Sequence, residues 1–282
     1  MVAFLGTGLL GSNFTKALLA KDIAVQVWNR TADKAKVLEA SGATAFDNIT
    51  DAVKGIQRIH ITLSDDAVVD AVLAAAEPAL QQGAFIIDHS TTSVEGAVER
   101  TSKWAAKGIH YVHAPVFMGP INALESTGYM LLSGDQQVIE KVEPWLTPMT
   151  GQLIHFGDRT GKAAAMKLLG NLFLITLTGG LSDMLALAKA TGVTVEDIFS
   201  LLESFNPGSQ AMGRLKRITT ANYDEPSWEL QMARKDAGLM MSAAANAQKE
   251  LVSIPAIAKQ MDRYLEKGNA QKDWTIIASE NR

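Results

Sequence analysis

Val2-Ala-Phe-Leu5 runs directly into Gly6-Thr-Gly8-Leu-Leu-Gly11, and a helix-like stretch from Ser12 to Leu19 follows. Apolar run, glycine-rich turn and helix in that order form the context in which a backbone turn meets a pyrophosphate. Gly6 permits a tight turn, Gly8 lets bare backbone approach phosphates, and Gly11 lets helix and strand pack closely. The helix N-terminus adds unpaired N–H donors and the positive end of its dipole. Thr7, Leu9 and Leu10 complete the predicted dinucleotide turn. A second run, Val25-Gln-Val-Trp28, ends about 20 residues beyond the glycines, where an adenosine ribose is expected.

The residues after that second run select the nucleotide. An acid there would bind a ribose 2′-hydroxyl, but the chain has Asn29-Arg30-Thr31, with Lys34 one helical turn on. No carboxylate stands there to repel a 2′-phosphate. Arg30 can pair with that phosphate and lie against adenine, while Asn29 and Thr31 can donate hydrogen bonds. The predicted cofactor is NADP.

Upstream of position 160, short β-branched runs alternate with helical stretches, the pattern of a parallel sheet wrapped by helices. Strands are predicted at 2–5, 24–28, 58–62, 85–88, 110–114, 129–133 and 153–156. Ligands of such sheets bind beyond the carboxyl ends of the strands. Gly6, Asn29, the Leu63-Ser64-Asp65 turn, Ser90-Thr91-Thr92 and residues 115–122 are therefore expected to converge on one cleft. After Gly157-Asp-Arg-Thr-Gly161 the alternation ends, and helices are predicted at 162–191, 194–203, 208–220, 230–248 and 254–267. The expected architecture is an α/β Rossmann doubly wound sheet domain (1–160) followed by an all-α domain (161–282) for substrate binding and dimerisation, with a long interdomain helix. That helix of about 30 residues would span about 45 Å, and it is expected to run from the cleft through the helical core, against a second subunit.

Composition narrows the classes of function. The chain has 282 residues, 47% of them hydrophobic, and a net charge of −4, enough to bury two cores and without the basic balance that nucleic acid requires. Zero cysteines exclude disulfides and thiolate chemistry. No charged leader precedes the first strand, so no signal peptide and a cytoplasmic location are expected. Residues 163–187 are apolar enough for a membrane span, yet they include Lys167, Asn171, Asp183 and several glycines. A buried helix, not a membrane helix, is expected. No His and carboxylate cluster has metal-ligand spacing, so no metal is expected.

Lys167 and Asn171 are four apart and share a helix face. Such a lysine ordinarily snorkels to solvent or makes an ion pair. Beside a nicotinamide, an ammonium of lowered pKa can instead protonate a carbonyl oxygen as hydride reaches carbon, with Asn171 holding the oxygen or the lysine in line. Lys235-Asp236 lies within a helical run whose default reading is a solvated face.

The Gly6–Gly11 turn, Asn29-Arg-Thr31, Asp88-His-Ser-Thr91, Ala114-Pro-Val116, the 157–161 hinge, Lys167 with Asn171, and Lys235-Asp236 occur in the order seen in β-hydroxyacid dehydrogenases. The chain resembles that family from end to end, a family that includes 3-hydroxyisobutyrate dehydrogenases, tartronate semialdehyde reductases and glyoxylate/succinic semialdehyde reductases, with imine reductases as close relatives. The resemblance implies a Rossmann domain and an all-α domain, dimers or tetramers, and catalysis on a small-molecule substrate in the interdomain cleft. It makes Lys167 the general acid/base and Asn171 a substrate ligand, with Ser90, Phe117, Met118 and Gly119 the remaining substrate contacts. Thr91, Leu63 and Ser64 would line the nicotinamide ribose, and Lys235 would touch cofactor or substrate.

The departures concern the substrate loop. Where the family reads Asp-Ala-Pro-Val-Ser-Gly-Gly, this chain reads His113-Ala-Pro-Val-Phe117-Met118-Gly119. Pressing a carboxylate against Phe117 and Met118 without replacement donors is costly. Asp183 stands where many members carry Glu. Hydride transfer between the nicotinamide and a small aldehyde, ketone or β-hydroxy acid, with Lys167 moving the proton, is the leading expectation. Reduction of a C=N bond and a non-catalytic NADP-binding module are the alternatives.

Overall fold

The computed structural model describes residues 1–220 and 222–281. It divides into two compact units, Met1–Asn171 and Leu172–Arg282.

In the first unit, six strands form one parallel sheet: β1 (Val2–Leu5), β2 (Val25–Trp28), β3 (Thr44–Phe46), β4 (Arg58–Ile61), β5 (Phe85–Asp88) and β6 (His110–His113). Their order is β3-β2-β1-β4-β5-β6. The chain crosses the sheet between β3 and β4, which leaves a crevice above the carboxyl ends of β1 and β4. Period-two alternation sends successive side chains of β1 to opposite cores. Val2 and Phe4 join one, with Phe14, Val27 and Ile87, whereas Ala3 and Leu5 join the other, with Ile59, Ile61 and Leu73. Burial on both faces is why these strands read as continuous apolar runs.

The helices α1 (Leu9–Leu19), α2 (Ala32–Lys36), α3 (Ile49–Val53), α4 (Asp66–Ala76) and α5 (Val94–Ala105) follow successive strands. Asp65 caps α4 by accepting from Val68 N–H, and Ser93 caps α5 by accepting from Gly96 N–H. After β6 the chain leaves the large sheet. The two remaining predicted strands, β8 (Tyr129–Leu132) and β9 (Gln152–His155), do not extend it; they pair with a two-residue strand, β7 (Val116–Phe117), in a separate three-stranded sheet ordered β7-β8-β9. Between β7 and β8 lies α6 (Pro120–Glu125), and α7 (Gln136–Leu146) precedes β9. Then α8 (Lys162–Thr191) begins, its first turn held by Ala163 N–H donating to Ser133 Oγ at 2.8 Å.

The second unit takes the remainder of α8, then α9 (Val195–Ser204), α10 (Ala211–Thr220), α11 (Leu230–Asn246), α12 (Ile254–Glu266) and a 3-10 segment, Trp274–Asn281. Leu230, Ala233, Met261, Tyr264 and Ile276 form its small core. Asp273 is fully buried and fastens this unit. Its carboxylate accepts from Arg217 at 2.6 Å, from Ser227 and from Thr275, and these bonds outweigh burial and hold it below the usual carboxylate range.

The expected burial of α8 does not hold. The long helix is not buried in a helical core of this chain: only 6% of its most apolar 18-residue window is buried, and Leu172, Phe173 and Ile175 are each more than half exposed. Hydropathy shows that a helix needs covering but does not say what covers it. By length and composition α8 is long and apolar enough to cross a membrane.

Candidate active site in the first unit

A cavity of about 600 Å³ opens over the carboxyl ends of β1, β2, β4 and β5. Most of the strand-end residues expected to converge line it, but Asp65, Thr92, Phe117 and Gly119 do not, nor do Asn171 and Lys235. Gly6, Gly8, Leu9, Leu10 and Gly11 line it from the first turn, and Asn29, Arg30, Thr31 and Lys34 from the end of β2 and the start of α2. Leu63 and Ser64 line it after β4, Ser90 and Thr91 after β5, and Met118 and Lys167 close the list of expected residues.

The glycines hold their places for different reasons. Gly6 has φ +91°, and a Cβ there would lie 2.3 Å from Thr62 O; a Cβ on Gly11 would lie 1.9 Å from Gly6 O. Turn and helix packing thus require both. A Cβ on Gly8 would meet nothing within 4 Å. The protein itself gives no reason for glycine at 8, and the open space above it is a cradle that a side chain would fill. No side chain caps α1, so the N–H groups at its start remain for an anion. These features fit a dinucleotide pyrophosphate.

Several expected contacts are committed within the protein. Thr7 is buried and does not line the cavity; its N–H donates to Asn29 Oδ1 at 3.1 Å, while Asn29 Nδ2 donates to Thr31 O at 2.9 Å. Asn29 therefore ties the glycine turn to the end of β2. Ser90 Oγ accepts from Leu63 N–H at 2.8 Å and Ser90 N–H donates to Asp88 Oδ1, so this serine braces the turn after β4. Gly119 stands at the N-cap of α6, its N–H donating to Asn122 Oδ1 at 2.9 Å.

Lys167 and Asn171 lie one turn apart on α8, and Lys167 Nζ donates to Asn171 Oδ1 at 3.0 Å. Lys167 is only 8% exposed and makes no ion pair among the described residues. Burial pushes its ammonium below the ordinary lysine range. The Phe117 ring lies beneath it, 4.2 Å from Nζ to the ring centroid. Lys235 belongs to the second unit, on α11, where its half-exposed ammonium pairs with Asp236 at 3.0 Å.

Sequence reasoning gave no role to His60 and His89. Arg58 Nε donates to His60 Nε2 at 2.7 Å, so the His60 proton sits on Nδ1 and is donated to His89 Nε2 at 2.8 Å. His89 Nδ1 then donates to Ala114 O at 2.9 Å. Both rings are fully buried and stack on Phe4, and burial keeps them neutral, His89 lowered to about 4. The chain of bonds fixes the backbone at Ala114, from which the Pro115–Gly119 loop departs. His113 is likewise buried, donating from Nε2 to Ser90 O at 3.0 Å. The sequence signal was a histidine within one apolar strand, His60 in β4, and another directly after the neighbouring strand, His89 after β5.

Two family models divide the chain between them. The NAD-binding domain of 6-phosphogluconate dehydrogenase matches residues 1–157, and the NAD-binding domain of NADP-dependent 3-hydroxyisobutyrate dehydrogenase matches residues 161–280. Among individual relatives, glyoxylate/succinic semialdehyde reductase 1 of Arabidopsis thaliana is 28% identical, over 93% of this chain and 91% of its own. A probable 3-hydroxyisobutyrate dehydrogenase of Mycobacterium bovis is 27% identical, over 86% and 85%. An imine reductase from Myxococcus stipitatus in complex with NADP+ superposes with a TM-score of 0.92 over the whole of both chains at 21% identity, which shows a shared fold. With a glycine turn that fits a pyrophosphate and a match to the first model over more than half its length, the chain belongs to the family of NAD(P)-binding oxidoreductases that includes 6-phosphogluconate and 3-hydroxyisobutyrate dehydrogenases.

Proposed function

We propose that this protein is an NADP-dependent oxidoreductase that interconverts a small aldehyde or ketone with its alcohol, with Lys167 as the general acid/base. The observation that carries the reading is a buried ammonium, unpaired with any acid, lining the same cavity as the glycine turn and Arg30. In this reading the N–H groups at the start of α1 hold the pyrophosphate. Arg30, Lys34 and Thr31 hold the 2′-phosphate, and Leu63, Ser64 and Thr91 border the nicotinamide ribose. The bound cofactor supplies or accepts the hydride.

The chain's own residues handle the proton. In the reducing direction Lys167 Nζ gives a proton to the carbonyl oxygen as the carbon accepts hydride, and in reverse it takes the proton from the hydroxyl. Its lowered pKa makes the ammonium a better donor than an ordinary lysine. Asn171 Oδ1 is occupied by Lys167, so its Nδ2–H groups remain to hold the substrate oxygen. Arg30, Lys34 and Lys167 are the cations lining the cavity, and the first two belong to the nucleotide end. Lys167 is thus the nearest cation to a reacting carbonyl, with Met118 beside it.

That apolar lining favours a second reading, reduction of an uncharged imine, against which stands the repulsion between Lys167 and a cationic iminium. The deciding test follows NADPH and NADH oxidation in parallel with glyoxylate, succinic semialdehyde and a cyclic imine. Turnover of a carbonyl with NADPH supports the first reading, and turnover of the imine alone supports the second. Binding of NADPH with no turnover of any substrate would leave a non-catalytic binding module. We further propose that a second copy of this chain covers the apolar face of α8, as a homodimer or within a homotetramer.

A further inference from the structure

We propose that Phe117 is the positioning residue for Lys167: its ring face holds the ammonium in place without an acid, and Gly170 is glycine so that the ring can be seated. This rests on the reading of Lys167 as the proton-transfer group and adds what keeps that group usable.

The geometry comes from two elements far apart in sequence. Phe117 ends the two-residue strand β7, paired with Tyr129 of β8, which fixes the direction of its side chain. Lys167 and Gly170 lie on the first turns of α8. The Phe117 centroid is 4.2 Å from Lys167 Nζ, well within cation–π range. Its far edge presses on α8 where position 170 lacks a side chain: a Cβ there would lie 2.3 Å from Phe117 Cζ and 2.7 Å from Cε1. Gly170 sits inside a helix, where glycine is disfavoured relative to alanine. Its missing side chain leaves the space the ring occupies.

A buried lysine needs a partner, and the choice of partner sets its chemistry. A carboxylate would hold the proton tightly and occupy the donor. The negative face of an aromatic ring attracts the cation more weakly and accepts no proton, so the N–H groups not used by Asn171 stay available. Among the described residues no acid lines the cavity. The other charged or titratable side chains that do are Arg30, Lys34 and His89, the last neutral and lowered to about 4.

The test reads Lys167 directly and does not depend on turnover. The Lys167 13Cε resonance in lysine-labelled protein, assigned by its loss in Lys167→Ala, is titrated in the wild type, Phe117→Leu, Phe117→Tyr, Gly170→Ala and the Phe117→Leu/Gly170→Ala double variant. Leucine keeps the apolar cover but removes the ring face, so Phe117→Leu is expected to lower the midpoint by about 0.5–1.5 units. Gly170→Ala, by displacing the ring, is expected to lower it in the same direction. The double variant is expected to go no further than the larger single change, and Phe117→Tyr to restore the wild-type midpoint. An unchanged midpoint in Phe117→Leu overturns the proposal, and so does additivity in the double variant. If Lys167→Ala keeps full turnover, the proton-transfer reading fails by itself, and the titration still decides whether Phe117 positions this lysine.

Discussion

Lys167 combines burial with the lack of an ion pair among the described residues, and Arg30 shows the opposite condition, a cation at a strand end lining an open cavity. Arg30 carries the claim of NADP selectivity. Because the guanidinium would pair with a 2′-phosphate that NADH lacks, Arg30→Ala is expected to weaken NADPH binding about tenfold to a hundredfold. NADH binding should stay nearly unchanged, as read by nucleotide fluorescence titration. Equal loss for both nucleotides would move Arg30 from phosphate recognition to general structure. At this scale the glycine turn, the strand-end residues and Lys167 were legible, because each follows from a local pattern. The Phe117–Lys167 contact was not. It depends on where β7 places a ring relative to a helix some fifty residues on, and on the missing side chain at Gly170.

The β1–α1 turn separates two uses of glycine, and the separation can be measured. Gly11→Ala drives a Cβ into Gly6 O and should lower the melting temperature by several degrees, with cofactor binding falling as a result. Gly8→Ala meets no protein atom, so the apoprotein should melt as the wild type does while NADPH affinity drops. A melting point lowered equally by both would remove the case for a phosphate cradle. Asp183 makes a parallel case on α8. It accepts from Val252, Ser253 and Ile254 N–H, the last two at 2.8 and 2.9 Å, and so holds the start of α12. Burial alone would raise its pKa, but those three donors win and hold it below the usual carboxylate range. Its contribution is therefore complete above the pKa of an unfolded-chain aspartate, about 3.9, and is lost as pH falls through the lower folded value. Asp183→Ala should cost about 2 kcal/mol or more at neutral pH, with the difference from wild type narrowing in acid, measured by denaturant unfolding.

Elements differed in legibility for physical reasons. β1 and β5 fell where expected because buried parallel strands leave uninterrupted apolar runs. β3 and β7, of three and two residues, are too short to show a period, and α6 hides behind Pro120, which reads as a breaker although it stands at the first helical position. The extent of α8 was legible, Lys162 to Thr191, but its exposure was not, since apolarity on all sides fits an interior, a membrane or an interface equally well.

At the scale of the molecule, the run Leu172-Phe-Leu-Ile175 on α8 leaves four consecutive large apolar side chains more than half exposed, and contiguous apolar exposure marks a contact surface. Light scattering coupled to size exclusion should return twice or four times the 30.3 kDa chain mass, and Phe173→Glu with Ile175→Glu should reduce it toward the monomer. A wild-type monomer would refute the second-copy cover. In the proposed reaction the proton matters as much as the nucleotide. The most direct measurement is steady-state NADPH oxidation by Lys167→Ala on whichever carbonyl the wild type turns over, with NADPH affinity measured on the same sample. Turnover is expected to fall by about 10²–10⁴-fold with affinity nearly intact; turnover equal to the wild type would contradict proton transfer by Lys167.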